Sequence, residues 1–248
     1  MNTSMIPSHL RHRPIARTTH SLVLAASLLA SAAQAAGGHH AIDDAAILND
    51  GQCSLETWGE RQTGGGRSLA HVGPSCRVGP VELSLNIDQE MFSGQAHTAV
   101  LAPQLKWAAN VSDAVSVGLV ASTSYSTTPS TRHTANTLLV PLTWRATPTL
   151  SAHANWERDF VLAQPNTPRS GVALEWAPLA RWSFVAERFV QSDTSNARLG
   201  ARWAVTPGLN LDISHARTLG ASAGGRVRWV TVGVNWEFEQ PFKLATAR

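Results

Sequence analysis

Five segments of this chain end on the same pattern, an apolar residue, a spacer and a tryptophan: Leu105-Lys-Trp107, Leu142-Thr-Trp144, Leu174-Glu-Trp176, Ala201-Arg-Trp203 and Val234-Asn-Trp236. Successive tryptophans lie 37, 32, 27 and 33 residues apart, the length of two strands with their connections. A short turn follows each of the first four, at 108–114, 145–149, 177–181 and 204–208, and three of these turns hold a proline, which presets φ for a tight turn. The intervening connections, 126–133, 162–169, 191–195 and 219–226, are longer and more polar.

Counting back by twos from each tryptophan gives one apolar face: Trp107, Leu105, Pro103, Leu101; Trp144, Leu142, Val140, Leu138; Trp236, Val234, Val232, Val230. The residues between them are polar or small, such as Lys106 and Gln104, Thr143 and Thr137, Asn235, Gly233 and Thr231. Period-two alternation is the signature of a strand with two unlike faces. It predicts twelve strands, at roughly 53–62, 67–77, 81–91, 98–109, 115–126, 134–145, 150–161, 170–177, 182–191, 196–204, 209–218 and 227–238.

An indole favours the boundary between hydrocarbon and water, where its ring is buried and its N–H stays wet. Trp107, Trp144, Trp176, Trp182, Trp203 and Trp236 therefore read as one aromatic girdle, and Tyr125, Trp156 and Phe160 as its opposite. Short turns at one end and long loops at the other add the asymmetry of a membrane barrel. The expected fold is all-β, an antiparallel up-and-down transmembrane β-barrel of about twelve strands, or ten if the first hairpin stays outside. His215 and Arg217 break the apolar face near a loop end.

The last strand, Thr231-Val-Gly233-Val-Asn-Trp236-Glu-Phe238, resembles the C-terminal signal of bacterial outer-membrane β-barrels of the porin-like class. The resemblance implies an outer-membrane location, contact with outer-membrane lipid, and recognition by the barrel-assembly machinery through Thr231, Gly233, Trp236 and Phe238. This chain departs from the pattern by continuing to Arg248.

The first 35 residues read as a cleaved Sec-type signal peptide: Arg11, Arg13 and Arg17, then the apolar run Leu22–Ala30, then Ala33-Gln34-Ala35. Residues 36–52 follow as a periplasmic leader, 53–238 as the barrel and 239–248 as a periplasmic tail. The full chain has 20 Lys+Arg against 17 Asp+Glu. Losing the three leader arginines cancels that excess, so nucleic-acid binding, which needs a basic footprint, has no support.

Inward parity assigns to the lumen the acids Glu82, Asp88, Glu90, Glu157, Asp159, Glu175, Glu187 and Asp212, the bases Lys106, Arg198 and Arg202, and His153. The excess of acids predicts a narrow passive channel whose lumen leans towards cations. A non-conducting structural or adhesion barrel and a soluble periplasmic β-protein are the alternatives. Cys53 and Cys76, in an exported chain, are expected to pair. If Gly64 and Gly65 form the first hairpin loop, the two lie directly opposite on neighbouring strands, within reach of a disulfide. His39, His40, Asp43 and Asp44 are candidate ligands for copper, nickel or zinc, weighed against a polar leader capping a short helix at 45–48. No enzyme is expected. A lipid hydrolase would need a Ser–His pair, but Ser214 and His215 are adjacent and face apart, and Ser151 and His153 lack a third group.

Overall fold

The computed structural model describes residues 39–94, 96–127, 130–191, 193–220 and 226–241. Its twelve strands are β1 (Gln52–Gln62), β2 (Arg67–Val78), β3 (Val81–Phe92), β4 (Thr98–Asn110), β5 (Val115–Ser126), β6 (Arg132–Thr147), β7 (Leu150–Val161), β8 (Thr167–Leu179), β9 (Trp182–Gln191), β10 (Thr194–Thr206), β11 (Leu209–Leu219) and β12 (Arg228–Glu239). Each pairs antiparallel with its neighbours in sequence, and β12 pairs with β1, so the sheet closes on itself. Closure removes both edges, leaving no open ladder.

Every expected strand is present, with ends shifted by at most three residues. The shifts fall at both ends of the barrel, up to two residues into the short turns and up to three on the loop side. β6, β8 and β10 each continue past the repeated tryptophan, and their ladders shift register there, between Arg145 and Thr147, Trp176 and Leu179, and Ala204 and Thr206. An extra residue breaks the period-two pattern while the pairing continues. In these three strands the repeated tryptophan lies at, or one residue before, the last regular pair.

The first hairpin has the expected register. Cys53 lies opposite Cys76, the two form a disulfide, and Gly64, Gly65 and Gly66 all take positive φ at the tip. The bond sits at the end of the barrel that carries the turns and the start of β1.

The partition of side chains is inverted relative to a soluble protein. Leu199, Val172, Leu174, Trp144 and Val232 are more than half exposed on the outside. Lys106, Glu175, Glu187, Arg198, Arg202 and Asp212 are buried inside. The girdle tryptophans all face outward and are 37–54% exposed, with Trp182 and Trp203 stacked on neighbouring strands. At the opposite rim Trp156 and Phe160 face outward and exposed, while Tyr125 packs edge-on against His133. No helix among the described residues is long and apolar enough to cross a membrane, and the crossing elements are strands.

One segment departs from expectation. Residues 39–50, read from sequence as a leader outside the barrel, run through its interior. The short helix expected at 45–48 does not form. The signal peptide, its cleavage point and residues 242–248 lie outside the described residues.

Candidate functional site

The lumen is filled by this segment, which runs from the turn end at Asp50 towards the loop end at His39. A segment without strand partners must satisfy its backbone polar groups on side chains. Ile42 N donates to Glu187 Oε1 (2.9 Å), Ala45 N to Thr143 Oγ1 (2.9 Å) and Leu48 N to Glu82 Oε2 (2.9 Å). In the reverse sense, Arg198 donates to His39 O, and Arg77 to Leu48 O at 2.9 Å. Asn155, with its amide turned to suit, clasps Asp43 by donating to its O (2.9 Å) and accepting from its N (2.7 Å).

Charge fixes the middle of the segment. Lys106 is 6% exposed, and its Nζ lies 2.9 Å from Asp43 Oδ1 and 3.3 Å from Asp44 Oδ1. His40 Nδ1 faces Glu187 Oε2 at 3.4 Å, and Arg198 approaches the same carboxylate at 3.6 Å. Burial comes first, and the charges of His40, Arg198 and Arg202 add to it, in holding the His39 imidazole at a pKa of about 2 rather than 6.5. Burial raises the Asp43 carboxyl above its ordinary range against the opposing pull of Lys106.

Apolar packing anchors the loop-side half. Ile42 is 1% exposed and forms a small core with Ala173, Val185 and Phe189, against which Trp229 packs. Glycine makes the space. A Cβ on Gly171 would fall 2.4 Å from Ile42 Cδ1, one on Gly200 would lie 2.9 Å from His40 Cε1, and one on Gly233 would lie 3.4 Å from His39 Nδ1.

Beyond His39, towards the loops, a vestibule of about 580 Å³ remains. Its floor includes His39–Ile42 and its wall includes Trp58, Glu60, Arg67, Glu157, Arg169 and Trp229. Arg67 joins Glu60 (2.6 Å) and Glu90, and Arg169 joins Glu157 and Asp159 (2.9 Å). Trp58 stacks flat on His71, whose Nδ1 lies 2.7 Å from Asp88.

All twelve residues expected to line the lumen occupy inward positions. They do not act alike. Lys106, Glu82, Glu187 and Arg198 hold the inner segment, and His153 lies beneath it. Arg202 is tied to Asp212 at 2.7 Å, while Glu90, Glu157 and Asp159 face the vestibule side. Parity reading passed over Glu56, Glu60, Arg67, Arg77, Arg145, Arg169 and His71, all inward. The inner faces of β1 and β2 hold most of these, and Trp58 shares the inward parity of Glu56 and Glu60, so counting from it as a girdle residue puts them on the wrong face.

The four candidate metal ligands are drawn to separate places, the histidines to Glu187 and Arg198 and the aspartates to Lys106. Among the described residues no three His, Cys, Asp or Glu converge to hold an ion. A hydroxyl, imidazole and carboxylate do align inside: Thr143 Oγ1 lies 2.9 Å from His153 Nδ1, and His153 Nε2 lies 3.9 Å from Glu175 Oε2. Ala45 N caps the hydroxyl, so this set supports the inner segment and is closed to solvent. Ser214 is buried in the lumen and His215 is exposed outside, on opposite faces of β11.

Comparison with solved structures finds the same barrel. The KdgM porin superposes with a TM-score of 0.60 at 12% identity, covering 75% of this chain and 99% of that one. The NanC porin gives 0.59 at 13%, covering 73% and 98%. The Ralstonia pickettii toluene transporter TbuX gives 0.50 at 9%, covering 77% and 90%. At such identities the likeness is one of fold. No curated protein matches the chain. A family model does, over residues 24–238, and the chain belongs to that family, described as "Uncharacterised conserved protein UCP029691".

Proposed function

We propose that this protein is an outer-membrane channel for small solutes or ions, with the loop-end vestibule as its mouth and residues 39–48 as its constriction. The observation that carries the reading is a closed barrel with an apolar exterior and a charged interior, since a sheet in lipid satisfies every backbone group only by closing. On this reading the turn end, with its tryptophan belt, faces the periplasm and the longer loops face outward. The barrel-assembly machinery would read Thr231, Gly233, Trp236 and Phe238 on β12, the strand that closes the barrel.

The lumen leans towards cations. Inward acids, with Glu56, Glu60 and Glu237 added to those above, outnumber the inward cations Arg67, Arg77, Lys106, Arg145, Arg169, Arg198 and Arg202. Planar-bilayer recording of the purified mature protein under a potassium chloride gradient tests both points. Single-channel steps with a reversal potential favouring potassium are expected, and one favouring chloride overturns the selectivity. A second reading, a non-conducting scaffold, draws on the density of contacts around Ile42 and Lys106. A bilayer that stays silent while the barrel is folded selects it.

A further inference from the structure

The outer face carries a charge pattern that a channel does not need. No outward-facing strand position among the described residues holds Asp or Glu. Arginine does stand there, in the half of the barrel nearest the loops, at Arg61, Arg158, Arg188, Arg217 and Arg228, all exposed. Three of these form a row. Arg188 on β9 lies opposite Ala197 on β10, Ala197 lies opposite Arg217 on β11, and Arg217 lies opposite Arg228 on β12. Direct cross-strand partners share a face. At ~4.8 Å per strand, Arg217 and Arg228 are immediate neighbours and Arg188 lies about 10 Å along the row. Among the described residues none of the three meets an acidic partner.

Below the row the outer surface is hollowed into a groove of about 1010 Å³. Alanine supplies the floor, at Ala154, Ala186 and Ala197, while Trp144, Leu174 and Leu199 stand proud beside it. Along β12 the belt residue Trp236 and the row residue Arg228 are eight residues apart, ~26 Å of strand. Strand tilt shortens this height, and an arginine stem snorkels to regain the headgroup level. Like charges directly opposite one another repel, and a guanidinium facing hydrocarbon is costly unless an anion meets it. A phosphate accepts paired N–H donors from such forks, and acyl chains suit an apolar hollow beneath them.

We infer that Arg188, Arg217 and Arg228 bind the phosphate groups of a phosphorylated, multiply acylated glycolipid of the outer leaflet, with an acyl chain lying in the alanine-floored groove. This rests on the outer-membrane reading above, which places the loop end in that leaflet.

The test is native mass spectrometry of the mature barrel in detergent, titrated with bis-phosphorylated lipid A, its dephosphorylated form and phosphatidylglycerol. Tight binding of the first is expected, with at least tenfold preference over each of the others. R188Q/R217Q/R228Q should lose at least 30-fold, and A186W, which fills the groove, about tenfold. R158Q, on the same face but outside the groove, should change binding less than twofold. Equal affinity for phosphatidylglycerol, or a triple variant within threefold of wild type, overturns the site. Heat-modifiable migration confirms that each variant is folded. Fractionation of cells reports separately on the membrane location, so a barrel absent from the outer membrane sinks the underlying reading without touching the binding result.

Discussion

Lys106 is the point at which the inner segment is most exposed to a single change. Its ammonium is buried and contacts two carboxylates of the segment, Asp43 and Asp44, with Glu82 holding Leu48 N nearby. Lys106→Met keeps the stem and removes the charge, leaving clustered carboxylates in the lumen without their counter-ion. Breaking a buried pair from one side costs about 3–5 kcal/mol. At ~1.4 kcal/mol per factor of ten, even the lower value shifts the docked-to-released ratio of the segment by more than a hundredfold. Lys106→Arg keeps the charge and serves as the control. In planar-bilayer recordings Lys106→Met should raise the open fraction or the unit conductance, and a thiol probe at Ala45→Cys should reach the segment. A folded Lys106→Met barrel with wild-type conductance and wild-type protection of residue 45 would refute the claim that this ion pair retains the segment.

Gly200→Ala places a Cβ against His40 and Ser214 and should lower stability by about 1–3 kcal/mol; adding His40→Ala should return part of that loss in a urea double-mutant cycle. Cys53→Ser/Cys76→Ser removes a cross-link spanning 23 residues, worth about 3.4 kcal/mol on the loop-entropy model, and the midpoint of denaturation should fall accordingly; an unchanged midpoint would mean that closure by β12 already constrains the hairpin. The docked His39 is held neutral, so its contribution is complete above pH 6.5 and is lost as pH falls, by ~1.4 kcal/mol per unit. Asp43, raised by burial, works in the opposite sense at lower pH. The conductance of wild type and His39→Asn should therefore diverge progressively on acidification from pH 7.5 to 5, with wild type releasing its segment more readily; parallel curves would exclude His39 as the source.

Much of the fold was legible because a barrel wall repeats a local rule. Leu142-Thr-Trp144 states the facing of a whole strand, since parity carries from any one position along the ladder. The glycine run at 64–66 set the register that brings Cys53 opposite Cys76. The interior resisted because nothing local specifies it. His39–Leu48 reads as a polar leader, and its partners Thr143 and Arg198 lie 98 and 159 residues from the groups they bind. The signal available was indirect: Gly171, Gly200 and Gly233 stand at inward positions, where a missing side chain leaves room for something else. Trp58 and Trp229, at the wrong parity for a girdle, were a second hint that the interior was furnished.

The meeting of β12 with β1 has a consequence for how the molecule is made. The inner segment is joined directly to β1, and its partners are spread over β2, β3, β4, β6, β7, β8, β9 and β10. It therefore finds a complete set of partners only late in assembly, when the ring is nearly whole. Once the seam zips, the tether between the described segment and the barrel wall leads out beside Gln52. Withdrawal must proceed back along that tether, towards the mouth with the tight turns.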